Sequence, residues 1–226
     1  MAEATEQGVV CWHCGQPVGT ETFCPACGKI QPAGPQADYF AVLGLPRQLA
    51  LDPAAIEQRF LALSWKLHPD NFVRGSERER SLALERAALL NDAYRTLRDL
   101  VPRIEYVLER EGLRREGEAR QQAPPELLEE VFELNETLEE LQSVRQQGVQ
   151  DAVVLERLRE AAAGFEQRLQ ELDRRLQELA RNWDEAVSSG ADQAARGYLE
   201  QMNEVLNRRS YIRNLVARVT AELVEV

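Results

Sequence analysis

Aromatic residues make up only 6% of the 226-residue chain, histidine and lysine each occur twice, and no cysteine follows position 27. With so few aromatics a large aromatic-lined catalytic cavity is not expected, and neither histidine stands in a nucleophile or metal-hydrolase pattern. No glycine-rich phosphate loop occurs either. These absences predict that the protein is not an enzyme. No apolar run approaches the ~20 residues that span a bilayer, and no basic residue precedes Lys29, which leaves no secretory n-region and no Arg-rich transit peptide. The expected location is cytoplasmic, with no membrane partner. Positive charge is also in deficit: 27 Lys and Arg against 38 Asp and Glu give a net charge of −11, so nucleic acid is not an expected partner.

What the chain does have is 44% hydrophobic residues, enough for packed cores, in a length that admits one to three small domains. Residues 1–36 hold all four cysteines and end in the stiff stretch Gln31-Pro-Ala-Gly-Pro35. Residues 37–112 alternate short helical patterns with Pro and Gly, and their charges nearly cancel, at 11 basic against 12 acidic. A charged linker, 113–125, closes on Pro124-Pro125. Residues 126–226 are almost unbroken helix former, and 113–226 together carry 23 acids against 15 bases. The predicted fold class is all-α: a small cysteine module, a helical domain, and a C-terminal antiparallel three-helix bundle.

Cys11-Trp-His-Cys14 and Cys24-Pro-Ala-Cys27 form C-x2-C-x9-C-x2-C. Two thiolates three residues apart on a tight turn can face one ion, and two such turns supply a closed tetrahedral shell of four sulfurs. Gly15 and Gly28 follow the two pairs, where a knuckle needs backbone free of a Cβ. Without an export signal, metal is preferred to disulfides. One structural zinc held by Cys11, Cys14, Cys24 and Cys27 is expected, with a rubredoxin-like iron or four reduced thiols as the alternatives. A full sulfur shell leaves no open position for a substrate. The proline-rich stretch after the module predicts that it is independent: loss of a ligand should unfold residues 1–36 and leave the helices intact.

In the second stretch Asp52-Pro53 reads as an N-cap with proline at N1, and Ile56, Phe60, Leu63 and Leu67 mark one buried face. Helix stops at Pro69. A second helix opens at Ser76 with Glu79 as its capping-box partner and carries Leu82, Leu89, Leu90, Ala93 and Leu97. The tip of this hairpin is His68-Pro69-Asp70. Arg59 and Lys66 fall about 20° apart on the helical wheel and form a solvent-facing basic strip leading to the tip. A plain solvated face would also explain the strip, and a helix C-cap would explain His68.

In the last stretch Leu155, Leu158, Ala162, Phe165, Leu169, Leu172, Leu176, Leu179 and Trp183 alternate spacings of three and four, a heptad seam on one helix over about 151–187. Helices near 126–147 and 192–225 would pack on it, with Gly148 and Ser188-Ser-Gly190 as turns; a homodimeric coiled coil is the alternative. In the helix after Pro125, Leu127, Val131, Leu134, Leu138 and Leu141 lie within about 80°. Leu128 and Phe132 fall outside that stripe, on the side that carries Glu129, Glu133 and Glu136. Either the long middle helix covers them, or they form a small apolar patch rimmed by carboxylates that binds a partner.

Taken together, Asp38-Tyr-Phe-Ala-Val-Leu-Gly-Leu45, the basic helix, His68-Pro69-Asp70 and Asn91-Asp-Ala-Tyr94-Arg-Thr-Leu97 resemble a J domain. Arg103-Ile-Glu-Tyr106-Val-Leu108 and Glu133-Leu-Asn-Glu136 narrow the resemblance to HscB-type iron–sulfur co-chaperones, in the subgroup with an N-terminal tetracysteine zinc module. Leu100, where the family usually has proline, and the length of the heptad helix depart from the pattern. The resemblance implies a co-chaperone that docks on an ATP-bound DnaK/HscA-type chaperone through His68, Pro69, Asp70, Arg59 and Lys66 and stimulates its ATPase. It further implies delivery of an IscU-type scaffold through Leu128, Glu129, Phe132, Glu133 and Glu136, with Tyr211 as an aromatic contact. Glu129 stands where the family usually has an apolar contact. The zinc is expected to be dispensable for stimulation. Two other readings compete: a general J-domain co-chaperone for unfolded clients, and a zinc-module adaptor whose hairpin is inert.

Overall fold

The computed structural model describes residues 10–19, 21–34, 37–114, 127–146 and 151–224. Seven helices run through them: α1 Tyr39–Leu43, α2 Pro53–Lys66, α3 Glu77–Leu97, α4 Leu100–Arg110, α5 Leu128–Gln146, α6 Ala152–Ser188 and α7 Asp192–Val224. A 3-10 turn, Pro69–Phe72, joins α2 to α3. Among the described residues there is no strand, only the isolated bridges Val10 with Pro17 and Phe23 with Ile30. The fold is all-α, and no described helix is long and apolar enough to cross a membrane. Backbone contacts divide the chain into two units, 1–103 and 104–226, and the division falls inside α4.

In the N-terminal unit the helix signals act where the sequence places them. Asp52 Oδ1 accepts from the Ala54 N–H at 3.0 Å, which starts α2. Ile56 and Leu67 are buried, and Phe60 stacks on Tyr94 with ring centroids 4.2 Å apart. The Ser76–Glu79 capping box opens α3. The buried face of α3 differs from the apolar pattern. Leu89 is half-buried, while Glu79 and Arg86 are buried beside Leu82, Ala83, Leu90, Ala93 and Leu97. Both charges are held from the cysteine module. Lys29 Nζ donates to Glu79 Oε1 at 2.7 Å, and Arg86 donates to the carbonyls of Gln31 at 2.9 Å and Pro32 at 3.0 Å. The Arg78 guanidinium lies 4.5 Å over the Trp12 ring. The independence expected from the proline-rich stretch does not account for these contacts. Buried Arg103 donates to the carbonyls of Leu97 at 2.6 Å and Arg98 at 3.2 Å, fixing the α3–α4 turn. Helix α4 opens at Leu100, with Pro102 in its first turn, where a missing N–H is tolerated.

In the C-terminal unit α6 runs 37 residues, about 55 Å at 1.5 Å per residue. Its seam is buried at Leu155, Leu158, Ala162, Phe165, Leu176, Leu179 and Trp183, and half-buried at Leu169 and Leu172. Leu134, Leu138 and Leu141 of α5 and Ile212, Leu215 and Val219 of α7 fill one core with it. The same chain therefore covers the seam that a homodimer would otherwise have covered. The α6–α7 turn closes at Ser188–Gly190, where the Ala191 N–H donates to the Ala186 carbonyl at 2.9 Å. After α4, Arg114 pairs with Glu105 at 3.2 Å and donates to Asn203 of α7 at 3.1 Å. The linker from residue 115 onward and the turn at Gly148 lie outside the described residues.

Candidate functional site

The hairpin tip is built by the end of α2. Proline at 69 cannot continue the helix, and Asn71 folds back so that its Nδ2 donates to the Trp65 carbonyl at 2.8 Å and to that of Lys66 at 3.4 Å, capping α2. His68 is the N-cap of the 3-10 turn. Its Nδ1 accepts from the Asp70 N–H at 3.3 Å. The Asp70 carboxylate lies 3.5 Å from the same Nδ1 and is otherwise open to solvent. Arg59 and Lys66 are both exposed, as the wheel requires. Two neighbours escaped the sequence reading. Leu61 and Trp65, one turn apart, are 58% and 80% exposed. On the wheel they lie opposite Ile56 and Leu67, a position that could have marked them as an outward apolar pair beside the tip.

In the cysteine module a tetrahedral thiolate site with metal–sulfur bonds of ~2.3 Å needs neighbouring sulfurs about 3.8 Å apart. Cys11 and Cys27 sulfurs are 3.6 Å apart and those of Cys14 and Cys24 3.7 Å, with all four within 4.8 Å of one another. The residues present therefore fit a metal. Gly15, at φ 73°, and Gly28, at φ 70°, turn each knuckle in the left-handed region. Burial pushes the Cys11 thiol up, but the N–H groups of Cys14 and His13 and the neighbouring thiols outweigh it and bring it to about 6. The Lys29 N–H lowers Cys27, yet burial and sharing with the other three sulfurs push it up to about 12. Gln31 was not singled out from sequence. Buried, it donates from Nε2 to Cys11 Sγ at 3.2 Å and so orients a ligand.

The stripe at Leu127, just before α5, and at Leu134, Leu138 and Leu141 on it is buried, while Leu128 and Phe132 are 55% and 63% exposed. The long helix does not cover them. Glu129, Glu133 and Glu136 are exposed on the same helix. Glu133 and Glu136 also line an α5–α6 cleft of about 550 Å³ with Arg157, Phe165 and Arg168. Arg168 forms a bidentate pair with Glu130 and holds its carboxyl below the usual range. Neither arginine was visible as a site residue, because cross-helix pairing depends on the packing register. Tyr211 is half-buried against the core of the same bundle.

No family model matches the chain. The co-chaperone protein HscB homolog of Vibrio vulnificus is 42% identical over 104 residues, 46% of this chain and 61% of that protein. The chain thus spans about three fifths of that relative's length. The iron-sulfur cluster co-chaperone protein HscB of Mus musculus is 27% identical over 213 residues, 92% of this chain and 80% of that one. The solved structure of the chaperone HscB from Vibrio cholerae matches with a TM-score of 0.53 at 30% identity, covering 82% of this chain and 99% of that one. The chain belongs to the HscB co-chaperone family. The exposed tripeptide and the acid-rimmed apolar pair on α5 are two surfaces, among the described residues, that take no part in a core.

Proposed function

We propose that the chain is a co-chaperone for iron–sulfur cluster assembly that stimulates ATP hydrolysis by a DnaK/HscA-type chaperone and delivers an IscU-type scaffold to it. The observation that carries this reading is the tip itself. His68 and Asp70 are exposed, fixed in a short 3-10 turn and not used to stabilise a core. Held this way, Asp70 meets a basic residue of the chaperone, while Arg59 and Lys66 meet an acidic surface, so docking weakens with salt. Trp65 and Leu61 add an apolar anchor beside these charges.

The scaffold docks on α5. Leu128 and Phe132 supply a small apolar centre, and Glu129, Glu133 and Glu136 face a basic surround on the partner, with Tyr211 as the contact from α7. The domains that perform these roles are 37–112 for the chaperone and 126–226 for the scaffold. Cys11, Cys14, Cys24 and Cys27 hold one zinc as a structural ion, since a filled sulfur shell offers no reaction site. The chain itself makes and breaks no bonds. A pull-down from native lysate with the full chain tests the reading: recovery of a DnaK-type ATPase and an IscU-type scaffold is expected, and recovery of neither would overturn it.

A further inference from the structure

The buried stripe of α3 changes character halfway along. At 100° per residue Glu79, Ala83, Arg86, Leu90, Ala93 and Leu97 lie within about 80° of one another. From Leu90 onward the stripe is apolar. Its first half instead presents a carboxylate and a guanidinium, only 9% and 6% exposed, and charges buried to this degree need partners. The module provides them. The Arg86 side chain donates to the carbonyls of Gln31 and Pro32, and Glu79 takes the ammonium of Lys29.

We propose that the cysteine module completes the core of α3, so that metal loading sets the order of the first turns of α3 and of the adjoining His68-Pro69-Asp70 loop, with Lys29, Gln31 and Arg86 as positioning residues. This rests on the reading of the four thiols as a metal site. Two contiguous routes connect them. In one, Gln31 donates to the Cys11 sulfur with its side chain and accepts from Arg86 with its carbonyl. In the other, Lys29 holds Glu79 Oε1, while Glu79 Oε2 accepts from the Ser76 N–H at 3.0 Å and hydroxyl at 3.1 Å. Gly75 then lies against Glu79: a Cβ there would meet Glu79 Cβ at 3.3 Å and the Phe72 carbonyl at 3.1 Å. Arg80 donates to the Gly75 carbonyl at 2.7 Å, and the Gly75 N–H donates to that of Phe72 at 2.8 Å, the last residue of the tip turn.

The two-state element is the module. So short a segment, with a core of Cys11, Val18 and Cys24, folds on its metal. When it opens, Arg86 loses both acceptors and Glu79 its cation, and uncompensated buried charge loosens the turns that carry it. The metal is then not dispensable for the hairpin.

Hydrogen exchange on the full chain tests this, with Zn(II) content measured in each sample. Removing Zn(II) with a chelator should speed exchange about tenfold or more at residues 76–86 as well as within the module, with α6 and α7 unchanged. Lys29→Met and Arg86→Met, each retaining one Zn(II), should speed the same α3 amides, and Lys29→Arg should restore them. Lys29→Met should also raise the concentration that half-saturates chaperone ATPase stimulation severalfold, again reversed by Lys29→Arg. Exchange that changes only within the module after chelation, or α3 amides unaltered in both methionine variants, would overturn the proposal. A parent chain that binds no stoichiometric Zn(II) would overturn the role of metal loading and the metal reading together; the methionine variants separate that failure from a failure of the contacts themselves.

Discussion

Of the five buried polar or charged side chains among the described residues, four, Gln31, Glu79, Arg86 and Arg103, lie in the N-terminal unit, and Thr137 is the one in the C-terminal unit. Each of the four has hydrogen-bond partners at fixed places in the fold. The C-terminal unit holds its charges at exposed or half-buried positions, in cross-helix pairs such as Arg157–Glu140 and Arg209–Asp173, around an apolar core dominated by leucine. Buried polar contacts specify one arrangement and fail together when a partner is lost. An apolar seam distributes its stability over many residues. The unit that carries the exposed tripeptide adds buried polar contacts to an apolar core, and the unit that carries the exposed pair Leu128 and Phe132 is built on an apolar seam.

Four variants, one of them double, probe this contrast, from the largest expected effect to the smallest. Leu158→Ala removes a fully buried seam residue and should lower stability by about 2–5 kcal/mol, read by denaturant unfolding followed on helicity. Leu128→Ala with Phe132→Ala should weaken scaffold binding by about 2–4 kcal/mol and leave helicity and ATPase stimulation intact; calorimetry showing unchanged affinity would reject that face.

Glu79→Gln should destabilise the N-terminal unit by about 1–3 kcal/mol at neutral pH. The Lys29 ammonium, then the Ser76 N–H, hold the Glu79 carboxyl below its usual range against the effect of burial. A depressed folded-state value means the contribution is complete above the unfolded carboxylate value of about 4.3 and is lost as pH falls through the lowered one. Parent and variant melting curves should therefore differ at pH 7 and converge in acid. Glu130→Gln breaks a pair that is more than a third exposed on each side, so its effect should stay under about 1 kcal/mol and shrink with salt.

Much of this was legible in the residues. The cysteine spacing identified the four-sulfur cluster, Ser76 and Glu79 the start of α3, and the α5 wheel separated Leu128 and Phe132 from the buried stripe. Each signal is local, because a turn or a helical period determines where the side chain goes. The burial of Glu79 and Arg86 was not legible. A charge on a helix reads as solvated unless its partner is known, and here the partners lie 50 or more positions away in a module expected to be independent. Trp65 and Leu61 were hidden for the opposite reason: apolar residues read as core, and only the full wheel shows them opposite Ile56. The pairs of Arg157 and Arg168 with α5 depend on how α5 and α6 slide along each other, which periodicity does not set.

In the proposed function the exposed tripeptide, and not the helical arm, engages the chaperone ATPase. Steady-state ATP hydrolysis by a DnaK-type chaperone, titrated with the Asp70→Asn chain, tests it most directly. Because Asp70 is exposed and outside both cores, the variant should melt like the parent and still bind the scaffold, yet give no stimulation. Full stimulation by a well-folded Asp70→Asn chain would contradict this role of the tripeptide.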